Sequence, residues 1–116
     1  MRNLTGSVCL LAALSLCGCK PASTAQVVTQ QTGYQTVEAA CGECQFGMEG
    51  SGCDLAVRID DVAYFVDGTA IDDHGDAHAT DGFCNAIRYA KVKGEIVAGR
   101  FRASEFELLP DDTEPN

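Results

Sequence analysis

The sequence predicts a small, mainly β domain with one helix, an α+β chain whose elements run three strands, helix, two strands. Three observations carry this. Short runs alternate apolar and polar residues, turn-forming pairs such as Asp60-Asp61 and Asp67-Gly68 separate them, and a single stretch repeats its apolar residues at three and four positions.

Taken in order, Val37 to Cys41 is a short first strand. Asp54 to Ile59 alternates, with Leu55, Val57 and Ile59 on one face and Ala56 and Arg58 on the other. Asp60-Asp61 turns the chain into Val62 to Val66, so these two runs form a hairpin closed off by Asp67-Gly68. Asp72 to Thr80 is polar and interrupted by Gly75, which reads as a loop containing at most a helical turn. Thr80 or Asp81 caps a helix from Gly82 to Ala90, with Phe83, Ile87 and Ala90 as its core stripe and Cys84 beside it. Val92, Gly94 and Ile96 then alternate with Lys91, Lys93 and Glu95. After Ala98-Gly99 the last strand, Arg100 to Leu108, points Phe101 and Ala103 inward before slipping phase to Phe106 and Leu108, which predicts a bulge. This is the element order of an OB-like, partly open five-stranded barrel.

The region before this domain has a different character. Arg2 gives a positive start, Val8 to Leu16 is an apolar run too short to span a membrane, and Leu16-Cys17-Gly18-Cys19 follows. The arrangement resembles the signal peptide and lipobox of a bacterial lipoprotein, with residues 1–18 removed and Cys19 acylated. A cut before Cys17 would put Leu16 where a small residue is required, so Cys19 is the better site. The resemblance implies more than one acyl chain, which is what stable anchoring in a bilayer requires. Residues 19–36 are rich in Ala, Thr, Gln and Ser and read as a flexible tether, with an end-to-end distance on the order of 20–25 Å. Such a chain belongs to the cell envelope, facing the periplasm. Lys20 in place of aspartate after the lipidated cysteine favours the outer over the inner membrane, as the resemblance to lipoprotein sorting implies. Residues 110–116 form an acidic tail expected to be disordered.

Charge narrows the partners. The chain carries a net charge of −9 with 17 acidic against 8 basic residues, and losing Arg2 with the signal makes it more negative still. This argues against nucleic acid as a partner and permits cations. The same acidity also serves simply to keep a small exported domain soluble.

The chemistry rests on cysteine and histidine. Of the 7 cysteines, Cys9 and Cys17 leave with the signal and Cys19 is the anchor, so Cys41, Cys44, Cys53 and Cys84 remain. In an oxidising compartment they read either as two disulfides or as a metal site. Each disulfide would contribute about 2–4 kcal/mol to a domain of limited core. Cys53 with Cys84 would be the pair that staples hairpin to helix. As a metal site, Cys41 and Cys44 place two thiolates on one cation, and Cys53 or Cys84 completes a sulfur-rich tetrahedron suited to zinc or Cu(I). A second CxxC of the zinc-ribbon kind is absent. A thiol-disulfide redox protein is a third reading, weakened because Gln45 to Gly52, with three glycines, reads as loop where a redox motif opens a helix. Covalent haem is excluded by Gln45 standing where histidine is needed.

His74 and His78 stand four apart among Asp72, Asp73, Asp76 and Asp81. On one helical turn both imidazoles share a face and chelate a divalent ion, the carboxylates serving as further ligands or as acceptors behind the imidazoles. The alternative is a solvated loop whose aspartates make turns and caps. No HExxH motif, EF-hand loop or nucleophile elbow is present. The balance is therefore a non-enzymatic binding domain: a transition-metal site, or a disulfide-stapled module that recognises another envelope protein.

The motifs Cys41-Gly42-x-Cys44-Gln45-Phe46-Gly47, Gly52 to Val57, Asp67-Gly68-Thr69, Ile71 to Ala79, Asp81 to Asn85 and Ala90 to Ile96 resemble a family of small bacterial lipoproteins classed as a domain of unknown function. Nearly the whole of 37–109 is covered. The resemblance implies one intact domain and no particular activity. Asp61 and Val62 depart from it, standing where a turn glycine and a polar residue are expected.

Overall fold

The computed structural model describes Gly18 and residues 29–111. The signal, Cys19 and the end of the acidic tail lie outside the described residues. Five strands form a closed barrel: β1 (Thr29–Cys41), β2 (Leu55–Ile59), β3 (Val62–Asp67), β4 (Arg88–Val97) and β5 (Arg100–Leu108). Around the barrel the order is β1-β2-β3-β5-β4, antiparallel throughout except for the β3–β5 contact. The expected mainly β, OB-like architecture with one helix is therefore present, closed rather than partly open. Among the described residues no helix is long and apolar enough to cross a membrane.

Alternation places the core as anticipated. Leu55, Val57 and Ile59 face inward with Val37, Ala39 and Cys41 of β1, Val66 of β3, Ala90 and Val92 of β4 and Phe101 of β5. Ala40 and Ala56 are fully buried but belong to the outer face, where they sit opposite each other in the β1–β2 register. The loop after β1 covers them. A Cβ at Gly42 would lie 2.6 Å from the Phe65 ring and 3.1 Å from Ala56, so only glycine lets the backbone lie this close to the sheet.

Both tight turns take positive φ. Asp60 and Asp61 have φ 49° and 66°, and Ala98 and Gly99 have 52° and 74°, the twist that two-residue hairpins favour. The phase slip in β5 is real. Lys93 pairs with Glu105 and Gly94 with Ala103, which leaves Ser104 as the extra residue, its hydroxyl donating to the Lys93 carbonyl at 3.0 Å. Closure depends on Val66 pairing with Phe101 and Asp67 with Arg102, and the Arg100 guanidinium clamps Asp67 at 2.9 Å across that junction.

Two expectations are corrected. β1 begins at Thr29, so residues 29–36 are not tether but strand, with Gln35 and Thr36 paired to Val92 and Lys91. Polar composition hid a strand that pairs with β4 through its backbone, with the Lys91 ammonium 4.6 Å over the Tyr34 ring. The helix over Gly82–Ala90 does not form. Gly82 and Asn85 hold a tight turn there, the Asn85 amide donating to the carbonyls of His78 and Ala79, and β4 takes up the chain at Arg88. Phe83 and Ala90 are buried as expected, but Ile87 is exposed. Ile-Arg-Tyr is a better strand than helix sequence, and pairing with β1 decides between them. The α-helix is instead α1 (Gly42–Gln45), one turn between β1 and β2, and only a 3-10 turn, Ile71–His74, lies between β3 and β4.

Phe101 is the largest fully buried side chain and touches the closing β3–β5 pair. Phe101→Ala is expected to destabilise the domain by about 3–5 kcal/mol, read from the urea midpoint at unchanged slope.

Candidate metal centre

The end of β1 determines where the sulfurs go. Cys41 closes the strand opposite Leu55 and is also the N-cap of α1, its Sγ accepting a hydrogen bond from the Cys44 N–H at 3.2 Å. Its own N–H donates to the Phe83 carbonyl at 2.9 Å, which draws in the turn that carries Cys84. The Gly42 N–H donates to the Asp54 carbonyl at 2.8 Å, which draws in Cys53. Cys84 is pinned from both sides, its N–H donating to the Ala77 carbonyl at 2.9 Å and its carbonyl accepting from the Gln45 amide at 2.8 Å.

As a result Cys41, Cys44, Cys53 and Cys84, all free thiols, have sulfurs that lie within 4.8 Å of one another. A zinc ion bound tetrahedrally at about 2.3 Å requires sulfurs roughly 3.8 Å apart, so a small contraction completes the set. Cys41 is buried, Cys53 and Cys84 partly buried, and Cys44 exposed. The cluster of four could hold a metal ion.

Its electrostatics favour a cation. Hydrogen bonding with Cys41, then desolvation and the charges of Cys41 and Cys53, push the Cys44 thiol well above its ordinary range. Burial above all, with Cys53 beside it, pushes Cys84 up to about 11. Glu43 lies between the paired cysteines and was not singled out by the sequence, although its place inside the CxxC was the available signal. Its burial alone would raise its pKa. Hydrogen bonds from the Asp54 N–H at 3.0 Å and the Cys41 thiol at 3.6 Å outweigh that and hold it below the usual carboxylate range. A carboxylate kept ionised beside crowded sulfurs adds to their demand for positive charge. Gln45, which orients Cys84, was likewise not anticipated.

The histidines are elsewhere. His74 ends the 3-10 turn, its ring stacked 4.4 Å from Phe106 and its Nε2 2.9 Å from the Thr69 hydroxyl, while His78 is exposed. Among the described residues neither they nor Asp72, Asp73, Asp76 and Asp81 join a group of three or more ligand side chains. Three of these aspartates have structural partners. Asp73 accepts from the Ala70 N–H at 2.8 Å and the Thr69 hydroxyl, Asp76 from the His78 N–H at 2.9 Å, and Asp81 pairs with Arg88 at 3.7 Å. The loop read over Gln45 to Gly52 counted against a redox motif, which needs a helix at its CxxC. α1 does open there with Cys41 as its N-cap, but it is a single turn, and four cysteines rather than two gather around it.

Fold and site together define a small closed β-barrel with a four-sulfur cluster at the end of its first strand. The sequence pattern of a family of unknown function, DUF6370, matches residues 35–109, so the chain belongs to that family. No curated protein and no solved structure matches it.

Burial lowers the pKa of His74 from 6.5, and Asp73 only partly opposes this. The unfolded chain therefore protonates first as pH falls, so the stability gained by keeping this ring neutral is present above 6.5 and lost as pH drops through it toward the lower folded value. Urea midpoints measured at neutral pH and at about pH 5 should fall less in His74→Gln than in the parent chain.

Proposed function

We propose that this chain is a lipid-anchored protein of the bacterial envelope whose barrel domain binds one zinc ion through Cys41, Cys44, Cys53 and Cys84, without catalysing a reaction. The observation that carries the reading is the convergence of four thiols from three separate chain segments within 4.8 Å. Four sulfur ligands fill the coordination sphere of zinc and leave no open position for a substrate or a water nucleophile, which is the mark of a non-catalytic site. Cu(I) shares the preference for soft sulfur but is less well matched to four ligands in a tetrahedron.

Envelope anchoring is supported by Arg2, the apolar run to Leu16 and the small Gly18 before Cys19. It follows that the site faces an oxidising compartment, where bound metal protects thiols that would otherwise pair.

Elemental analysis of the purified chain is expected to find one zinc per chain, lost in Cys41→Ser. Two disulfides, no free thiols among the four and no metal would overturn the site. Because Cys44 and Cys84 must lose protons to bind, zinc affinity should strengthen as pH rises across the neutral range, seen by competition with a chromogenic chelator. In a bacterial host Cys19→Ala should abolish incorporation of labelled palmitate and release the protein from membranes. Undiminished membrane association of that variant would contradict the anchor.

A further inference from the structure

The four sulfurs are not equivalent, and the difference has a direction. Cys41 is fully buried at the end of β1, capped against Leu55 and tied to Phe83. Cys84 has both backbone groups engaged. Cys53 is partly buried and precedes Asp54, whose N–H and carbonyl are both bonded, to Glu43 and Gly42. Cys44 alone of the four is exposed, on a single turn of helix leading to Gly47, which has a φ of 66° and open space around it.

We propose that metal passes into and out of this cluster at Cys44, by direct ligand exchange with an acceptor protein whose own site is built of thiolates. The proposal rests on the metal-binding reading above and assigns it a use: delivery of a soft cation rather than only reinforcement of the barrel. In the exchange an acceptor thiol bonds to the zinc as the zinc–Cys44 bond breaks, and the acceptor's proton moves to the Cys44 sulfur. Zinc stays divalent and nothing is oxidised. The remaining three ligands keep hold of the ion until further acceptor sulfurs replace the partly exposed Cys53 and Cys84, with Cys41 last. A site meant only to staple the fold gains nothing from an exposed ligand on a one-turn helix. A donor needs one, because attack on bound metal requires access to the metal–ligand bond.

The test uses the purified full-length chain in detergent, loaded with zinc. Release to a chromogenic chelator is followed at increasing chelator concentration, and iodoacetamide labelling of the loaded protein is mapped residue by residue. Transfer through Cys44 predicts that tenfold more chelator speeds release about tenfold, as a bimolecular step requires. It also predicts that Cys44 is the first of the four to be alkylated, with zinc leaving as it is modified. A release rate independent of chelator, or first labelling at Cys41, Cys53 or Cys84, would overturn the exchange route while leaving zinc binding intact. A chain that cannot be loaded with zinc would overturn the metal site, and the exchange route with it.

Discussion

Two backbone hydrogen bonds at the end of β1, from Cys41 to Phe83 and from Gly42 to Asp54, are what the rest of the site depends on. They join three segments that are distant along the chain and each bring at least one sulfur with them. Neither bond involves a cysteine side chain. The cluster is therefore set by where β1 stops, and β1 stops there because its inward residues Val37, Ala39 and Cys41 fill the barrel while Gly42 lies against Phe65 and Ala56 on the outer face. Cys41 belongs to both core and cluster, so packing the barrel and placing the sulfurs are one structural event at that residue.

This overlap has a thermodynamic side. The barrel interior holds few large side chains. Phe101, Phe83, Leu55 and Ile59 do much of the filling, with alanines at Ala39 and Ala90 where strands press together. A domain of this size has little hydrophobic reserve. A cation held by four sulfurs that meet only in the folded chain contributes its binding energy to folding, since the unfolded chain presents no comparable site. On the proposed metal-binding reading, metal and barrel would stabilise each other.

Much of the barrel was legible in the sequence because period-two alternation is a strong signal wherever one face is buried: Leu55, Val57 and Ile59, then Ala90 and Val92, and even the phase slip that became the Ser104 bulge. The misreadings came from residues whose state is decided by partners. Residues 29–36 look like a linker, yet barrel closure needs a strand beside β4 and backbone pairing accepts polar residues. Phe83, Ile87 and Ala90 keep helical spacing by coincidence; Phe83 is buried from a turn and Ala90 from a strand. At the site, CxxC spacing marked Cys41 and Cys44, and Cys53 and Cys84 were candidates without an assigned geometry. Only the tertiary hydrogen bonds brought all four together and left His74 packed on Phe106 instead.

The groups around the cluster are shifted in opposite directions by different causes. Crowded, partly desolvated sulfurs hold their protons, while Glu43, given hydrogen bonds from Asp54 and Cys41, releases its own. Glu43 thus supplies a carboxylate held ionised beside Cys44 and Cys84, two thiols whose ionisation is suppressed. On the proposed reading, binding a cation would release protons from these two thiols, of which Cys44 is the exposed one. The asymmetry that buries Cys41 in the barrel and leaves Cys44 at the surface is what the proposed exchange of a bound ion draws on.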